Sequence, residues 1–154
     1  MLYYAEVAMG HGEVPHMRCL CIHISGCRQR CRHCQSPALQ QPDFGDPLLP
    51  ALADILQLYT GRCDCVCFLG EGSAGETERR EFAAAAAAVT AAGLGCCLYS
   101  GRDLAAPEAW MRAFDYVKLG SYKAHLGPLT CPATNQRLYR RTPQGWQDIT
   151  CDFW

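Results

Sequence analysis

Cys27-Arg28-Gln29-Arg30-Cys31-Arg32-His33-Cys34 sets three thiols at spacings of three and two intervening residues, directly after the apolar run Cys19-Leu20-Cys21-Ile22-His23-Ile24 and the pair Ser25-Gly26. Three sulfurs on a short loop leaving a strand can converge on one metal centre, because closing a short loop costs little entropy. Soft thiolates select zinc, copper(I) or iron–sulfur clusters. A structural zinc site takes four ligands, usually as two pairs, whereas a 4Fe–4S cubane can be held by three cysteines with its fourth iron open. The count of three is therefore the informative feature of the loop.

Around this loop the chain reads as strands alternating with helices. Tyr3 to Met9 is a first, edge-type strand, followed by a turn-rich Gly10-His11-Gly12 and Pro15. His11 and His16 fall in that loop, where histidines seldom serve as ligands. Cys19 to Ile24 is nearly continuously apolar, as a buried parallel strand should be, and Ser25-Gly26 lets the backbone turn into the cysteine loop. A proline-rich link from Pro37 to Pro50 runs into a helix over Leu48 to Tyr59, announced by Asp46-Pro47 and carrying apolar residues at helical spacing. Cys63 to Leu69 reads as a third strand, with Cys63, Cys65 and Cys67 on one face as small core-filling hydrophobes. It ends in Gly70-Glu71-Gly72-Ser73, glycines that let backbone N–H groups approach a ligand at the edge where open α/β sheets bind.

Glu76 to Ala92 is the clearest helix, with Ser73 and Glu76 spaced as a capping box and Gly93 as its stop. Cys96 to Tyr99 is a fourth strand ending at Ser100-Gly101, and Cys96 and Cys97 again read as core thiols. Pro107 to Phe114 comes next as a short helix, and Tyr116 to Leu119 as a fifth strand, with Lys118 read as an exposed charge at its end. Arg137 to Arg141, the Thr142-Pro143-Gln144-Gly145 turn and Trp146 to Thr150 form a C-terminal β-hairpin. The expected fold class is α/β: a partial (β/α) barrel of mainly parallel strands with a C-terminal hairpin, in a single domain over residues 1–154.

Composition bounds the function. At 154 residues the chain is too short for a full eight-fold α/β barrel, and its net charge of −1 recruits neither nucleic acid nor an anionic membrane. Arg28, Arg30 and Arg32 form a local basic patch that suits either a solvated loop or the docking of an acidic partner. The first residues lack the basic and apolar regions of a signal peptide, and no apolar run reaches the roughly 18 residues of a membrane span. Twelve cysteines without such a signal indicate a reducing, cytoplasmic setting rather than a disulfide framework.

The CxxxCxxC spacing after a first strand resembles the radical S-adenosylmethionine (SAM) enzymes. Ile24-Ser25-Gly26-Cys27, Cys34-Gln35-Ser36-Pro37, the stretch Tyr116 to Tyr122 and Thr134-Asn135-Gln136-Arg137-Leu138-Tyr139 narrow the resemblance to the activating proteins of anaerobic (class III) ribonucleoside-triphosphate reductases. The resemblance implies one 4Fe–4S cluster held by Cys27, Cys31 and Cys34, and SAM chelated by the open iron and split reductively. It implies a radical SAM type of barrel, the glycyl-radical subunit of the reductase as protein partner, and flavodoxin or ferredoxin as electron donor. His33 falls where that superfamily places a residue near the adenine, and Ser100 at a strand end near SAM. Gly70-Glu71-Gly72 occupies the place of a Gly-Gly-acid motif that contacts the SAM ammonium. The order here departs from that motif, so either Glu71 is the acceptor or only backbone contacts remain.

Other readings are activation of another glycyl-radical enzyme, a small-molecule radical SAM reaction, and a relative that keeps the cluster but cannot cleave SAM. From a different class comes a zinc-binding interaction module in which His33, Cys19 or Cys21 joins the three loop cysteines.

Overall fold

The computed structural model of the chain describes residues 1–31, 34 and 36–154. In chain order it forms β1 (Tyr3–Met9), β2 (Cys19–Ile24), β3 (Asp46–Pro47), α1 (Leu48–Tyr59), β4 (Cys65–Leu69), α2 (Glu76–Ala91), β5 (Gly95–Tyr99), β6 (Tyr116–Leu119), β7 (Arg137–Thr142) and β8 (Gly145–Asp148), with short 3-10 turns between them. The strands make one eight-stranded sheet in the order β3-β1-β2-β4-β5-β6-β7-β8.

The α/β class holds, but the sheet is mixed where mainly parallel pairing was expected. Pairings β2–β4, β4–β5 and β5–β6 are parallel, while β1–β2, β1–β3, β6–β7 and β7–β8 are antiparallel. Crossovers through α1 and α2 suit the parallel pairs β2–β4 and β4–β5, and the tight turn between β7 and β8 returns the chain antiparallel. The β5–β6 and β6–β7 connections are of similar length, so there the direction follows where the chain re-enters the sheet. The C-terminal hairpin is present as β7 and β8.

Each remaining departure from the sequence reading has a local reason. The strand expected from Cys63 begins at Cys65, because Asp64 N–H bonds the Arg18 carbonyl at 2.8 Å in the turn before it. Cys63 consequently packs with the helices while Cys65 and Cys67 face the other way. No capping box forms at Ser73. Ala74 has φ +52°, outside the helical region, so α2 starts after Gly75 without a side-chain cap. The helix expected over Pro107 to Phe114 is a 3-10 turn at Ala109–Ala113. No helix among the described residues is long and apolar enough to cross a membrane.

Both faces of the parallel strands are buried, for different reasons. Leu20, Ile22, Val66, Phe68, Leu98 and Val117 pack against Leu52, Leu56, Phe82 and Val89 of the two helices. Phe82 is the keystone of that layer: its ring meets Phe68 and Phe114 edge to face, with centroids 5.9 Å away in both cases. The opposite face carries Cys19, Cys21, Cys65, Cys67 and Cys97, covered by Val14, Leu138 and Ile149. Since Phe82 is fully buried, Phe82→Ala removes a large side chain from a site with little freedom to collapse. The expected loss is about 3–5 kcal/mol of unfolding free energy, read by urea denaturation under anaerobic conditions.

Candidate metal centre

The cysteine loop leaves the C-terminal end of β2 and is pinned where it departs. Gly26 has φ +85°, a conformation side chains disfavour. Gly26 and Cys27 N–H groups both donate to the Leu39 carbonyl, at 2.7 and 2.8 Å, so the loop returns onto the 3-10 turn Pro37–Gln40. Cys27 is half-buried, and Cys31 and Cys34 are exposed. The Cys31 thiol is pushed above its ordinary value, first by partial desolvation and then by the neighbouring Cys27 and Cys34. His33 and Arg32 lie outside the described residues.

The turn after β4 lies directly against this loop. A Cβ on Gly70 would stand 3.3 Å from the Ile24 carbonyl, and one on Gly72 would stand 3.3 Å from the Ser25 carbonyl; both glycines have positive φ. Between them Glu71 is only 7% exposed and is ion-paired to Arg102, whose Nη2 also reaches Glu71 Oε2 at 3.3 Å. Arg102 is held in turn by Glu108 through bonds of 3.0 and 2.8 Å. Arg102, and after it the Trp110 N–H, bring the Glu108 carboxyl down to about 2. Of the two roles open to Glu71, its carboxylate is engaged here with Arg102. Ser100 is fully buried and its hydroxyl accepts from the Arg102 N–H at 3.1 Å, which makes it part of the same turn.

Three cavities meet at Cys27. One of about 620 Å³ is bounded by Gly26, Arg28, Arg30, Gly72 and Ser73. A second of about 240 Å³ runs along Gln29, Gly70, Glu71 and Arg102. The third, about 340 Å³, reaches inward past Cys34, Gly70 and Ser100 to Tyr99, Glu13 and Lys118. The sequence reading missed the floor of this last cavity. Lys118 is not an exposed strand-end charge but is 7% exposed; its ammonium donates to the Gly120 carbonyl and to Gln136 Oε1, both at 2.9 Å, and stands 5.2 Å from the centre of the Tyr99 ring. The signal was available in the strand period: Val117 and Leu119 face the helices, so Lys118 must face the thiols. Glu13 Oε2 is also buried, with no hydrogen-bond partner among the described residues. Asn135 donates to the Ser121 carbonyl at 3.0 Å.

Among the described residues, the group whose metal-ligating atoms all lie within 4.8 Å of one another is Cys19, Cys65 and Cys67, not the loop cysteines. That buried group could bind a metal ion. Hydrogen bonds from Cys65 and Cys67 hold the Cys19 thiol far below its ordinary range, to about 3, while Cys67 is pushed well up by the thiols around it. Compared with known protein families, curated proteins and solved structures, the chain matches none.

Burial brings the Lys118 ammonium down from 10.5 to about 8, against the opposing pull of Cys97, Cys31 and Asp103. Below about 8 both folded and unfolded chains carry the proton, and the folded state bears the full cost of the buried charge. As pH rises from about 8 to 10.5 the folded state releases the proton before the unfolded one, so this group's contribution to stability rises with pH. The expected midpoint, near pH 8, is measured on the apoprotein by NMR of ¹³C-dimethylated lysines, with Lys118→Met assigning the signal.

Proposed function

We propose that the protein is an iron–sulfur, radical SAM activating enzyme that generates a glycyl radical on an anaerobic ribonucleoside-triphosphate reductase, receiving electrons from flavodoxin or ferredoxin in the cytoplasm. The observation that carries this reading is that Cys27 lines three cavities together with residues of the Gly70–Gly72 turn, Cys34 joining it in the innermost, at the C-terminal edge of parallel strands. We read the parallel strands, with helices on one face only, as the parallel part of a partial barrel.

Cys27, Cys31 and Cys34 would hold the 4Fe–4S cluster, which when bound supplies the electron that splits SAM. The side chains fit a ligand with amino-acid character. Lys118 presents a buried cation suited to a carboxylate, and Glu13, which lines the same cavity, has a buried Oε2 with no hydrogen-bond partner among the described residues. With Glu71 tied to Arg102 and the Gly70 N–H donated to the Tyr99 carbonyl at 3.0 Å, the turn contributes the backbone N–H groups of Glu71 and Gly72 rather than a free carboxylate. No acid–base pair is needed, because the chain's task is to bind, orient and exclude water. Arg28 and Arg30 are exposed on the rim of the cavity of about 620 Å³, where an acidic partner would meet them. A glycine target suits this rim, since lacking a side chain it lets its Cα–H approach closely.

The zinc-module reading needs Cys19, Cys21 or His33 as a fourth loop ligand. Cys19 and Cys21 instead face the covered side of the sheet, and Cys19 groups with Cys65 and Cys67. Anaerobic reconstitution with iron and sulfide, reduction, and assay for 5′-deoxyadenosine from SAM tests the proposal. The expected result is a brown protein that forms the product, and a Cys31→Ala variant that does not. A colourless protein that takes zinc on the loop cysteines would overturn it.

A further inference from the structure

We propose that Cys19, Cys65 and Cys67 form a second, closed metal site that binds one thiophilic d¹⁰ cation of the copper(I) or zinc(II) class and staples β2 to β4. This inference is independent of what occupies the loop.

The sheet register creates the site. Cys19 of β2 stands directly opposite Cys65 of β4, and Cys21 opposite Cys67, which is in turn opposite Cys97 of β5. The sulfurs of Cys19, Cys65 and Cys67 lie within 4.8 Å of one another, and each of the three residues is at most 1% exposed. Three sulfurs at such separations need to move little to share one ion with Zn–S bonds of about 2.3 Å.

The distribution of residue types argues against simple space filling. On the helix side, the same strands are built from Leu20, Ile22, Val66, Phe68 and Leu98, the ordinary branched and aromatic fillers, with Cys96 the one thiol among them. On the other side, all five side chains that β2, β4 and β5 present below the level of His23, Leu69 and Tyr99 are cysteine. A face needing only small apolar volume would use alanine and valine as readily, as α2 does with Ala85, Ala86 and Val89. Sulfur is what the face has in common.

The surroundings define the ligand. Val14, Leu138 and Ile149 close the face, so the site excludes water and holds an ion rather than an exchanging substrate. The three ligand atoms are soft, which rejects magnesium and calcium and favours copper(I) or zinc(II). Three thiolates suit three-coordinate copper(I), and Cys21 or Cys97 beside Cys67 supplies the fourth sulfur that zinc prefers. A cation there also neutralises thiolate charge that an apolar interior would otherwise penalise.

The test uses the full chain with Cys27, Cys31 and Cys34 all replaced by alanine, so that the loop contributes no sulfur. This protein is loaded anaerobically with zinc(II) or with copper(I), desalted, and measured for bound metal, X-ray absorption and thermal midpoint. The expected result is one tightly held ion per chain with a sulfur-only shell, and a midpoint that rises on loading. Adding Cys65→Ser and Cys67→Ser removes the ion, whereas adding Cys96→Ala, an equally buried thiol on the helix face, leaves it bound. No retained metal, a shell containing nitrogen or oxygen, or an ion that survives the double serine change would each overturn the proposal. Should the serine variant fail to fold, the coordination shell of the loaded parent decides the matter alone.

Discussion

The parallel register of β2 against β4 is the constraint on which the rest of the structure depends. It pairs Cys19 with Cys65 and carries on to His23 with Leu69, so the two strands end side by side. The two turns leaving these strand ends are then forced into contact: Gly70 sits against the Ile24 carbonyl and Gly72 against the Ser25 carbonyl, at distances where any side chain on either glycine would have to displace backbone. A slip of one residue would turn every thiol toward the helices and every Leu, Ile and Phe toward the thin cover of Val14 and Ile149. The burial of bulky side chains against α1 and α2 therefore sets the position of the cysteine loop.

The two faces of the sheet answer to different covers. The helix side is filled by large side chains that interdigitate with α1 and α2, and its aromatic cluster of Phe68, Phe82, Phe114 and Trp110 extends under the 3-10 turn that carries Glu108. Trp110 bonds Glu108 at 2.6 Å, and Glu108 holds Arg102. The same aromatic packing thus fixes the arginine that claims Glu71. In this way the core reaches the turn at the candidate site through one chain of contacts, Phe82 to Trp110 to Glu108 to Arg102 to Glu71.

Strongly patterned segments were legible from the chain alone. The boundaries of β1, β2, α1 and β6 agree with the reading from apolar runs and helical spacing, because those patterns arise from burial that each segment meets on its own. Pairing was less legible. Whether a flank strand runs parallel or antiparallel depends on where the chain returns after a loop, and Asp46–Pro47 is too short to carry any pattern of its own. At the candidate site the three loop cysteines and the glycine turn could be named from spacing. Arg102 with Glu71 could not, since the partners are 31 residues apart and neither lies in a motif that pairs them. The buried thiols were visible as Cys-x-Cys runs, with Cys65 and Cys67 read as core filler; that they stand opposite Cys19 and Cys21 is fixed only by the strand order.

Lys118 joins these two sulfur regions electrostatically. Burial disfavours its charge, while Cys97 on the closed face and Cys31 on the loop both favour it, and burial prevails. The balance is one that the state of the sulfurs must shift. Thiolates gathered on the loop strengthen the attraction and keep the ammonium charged, and an ion that neutralises the closed face weakens the pull from that side. Gln136 and the Gly120 carbonyl satisfy two of its donors at 2.9 Å. A lysine so held keeps a third donor for a ligand in the inner cavity, and the strength of its charge there is set from both sides of the sheet edge.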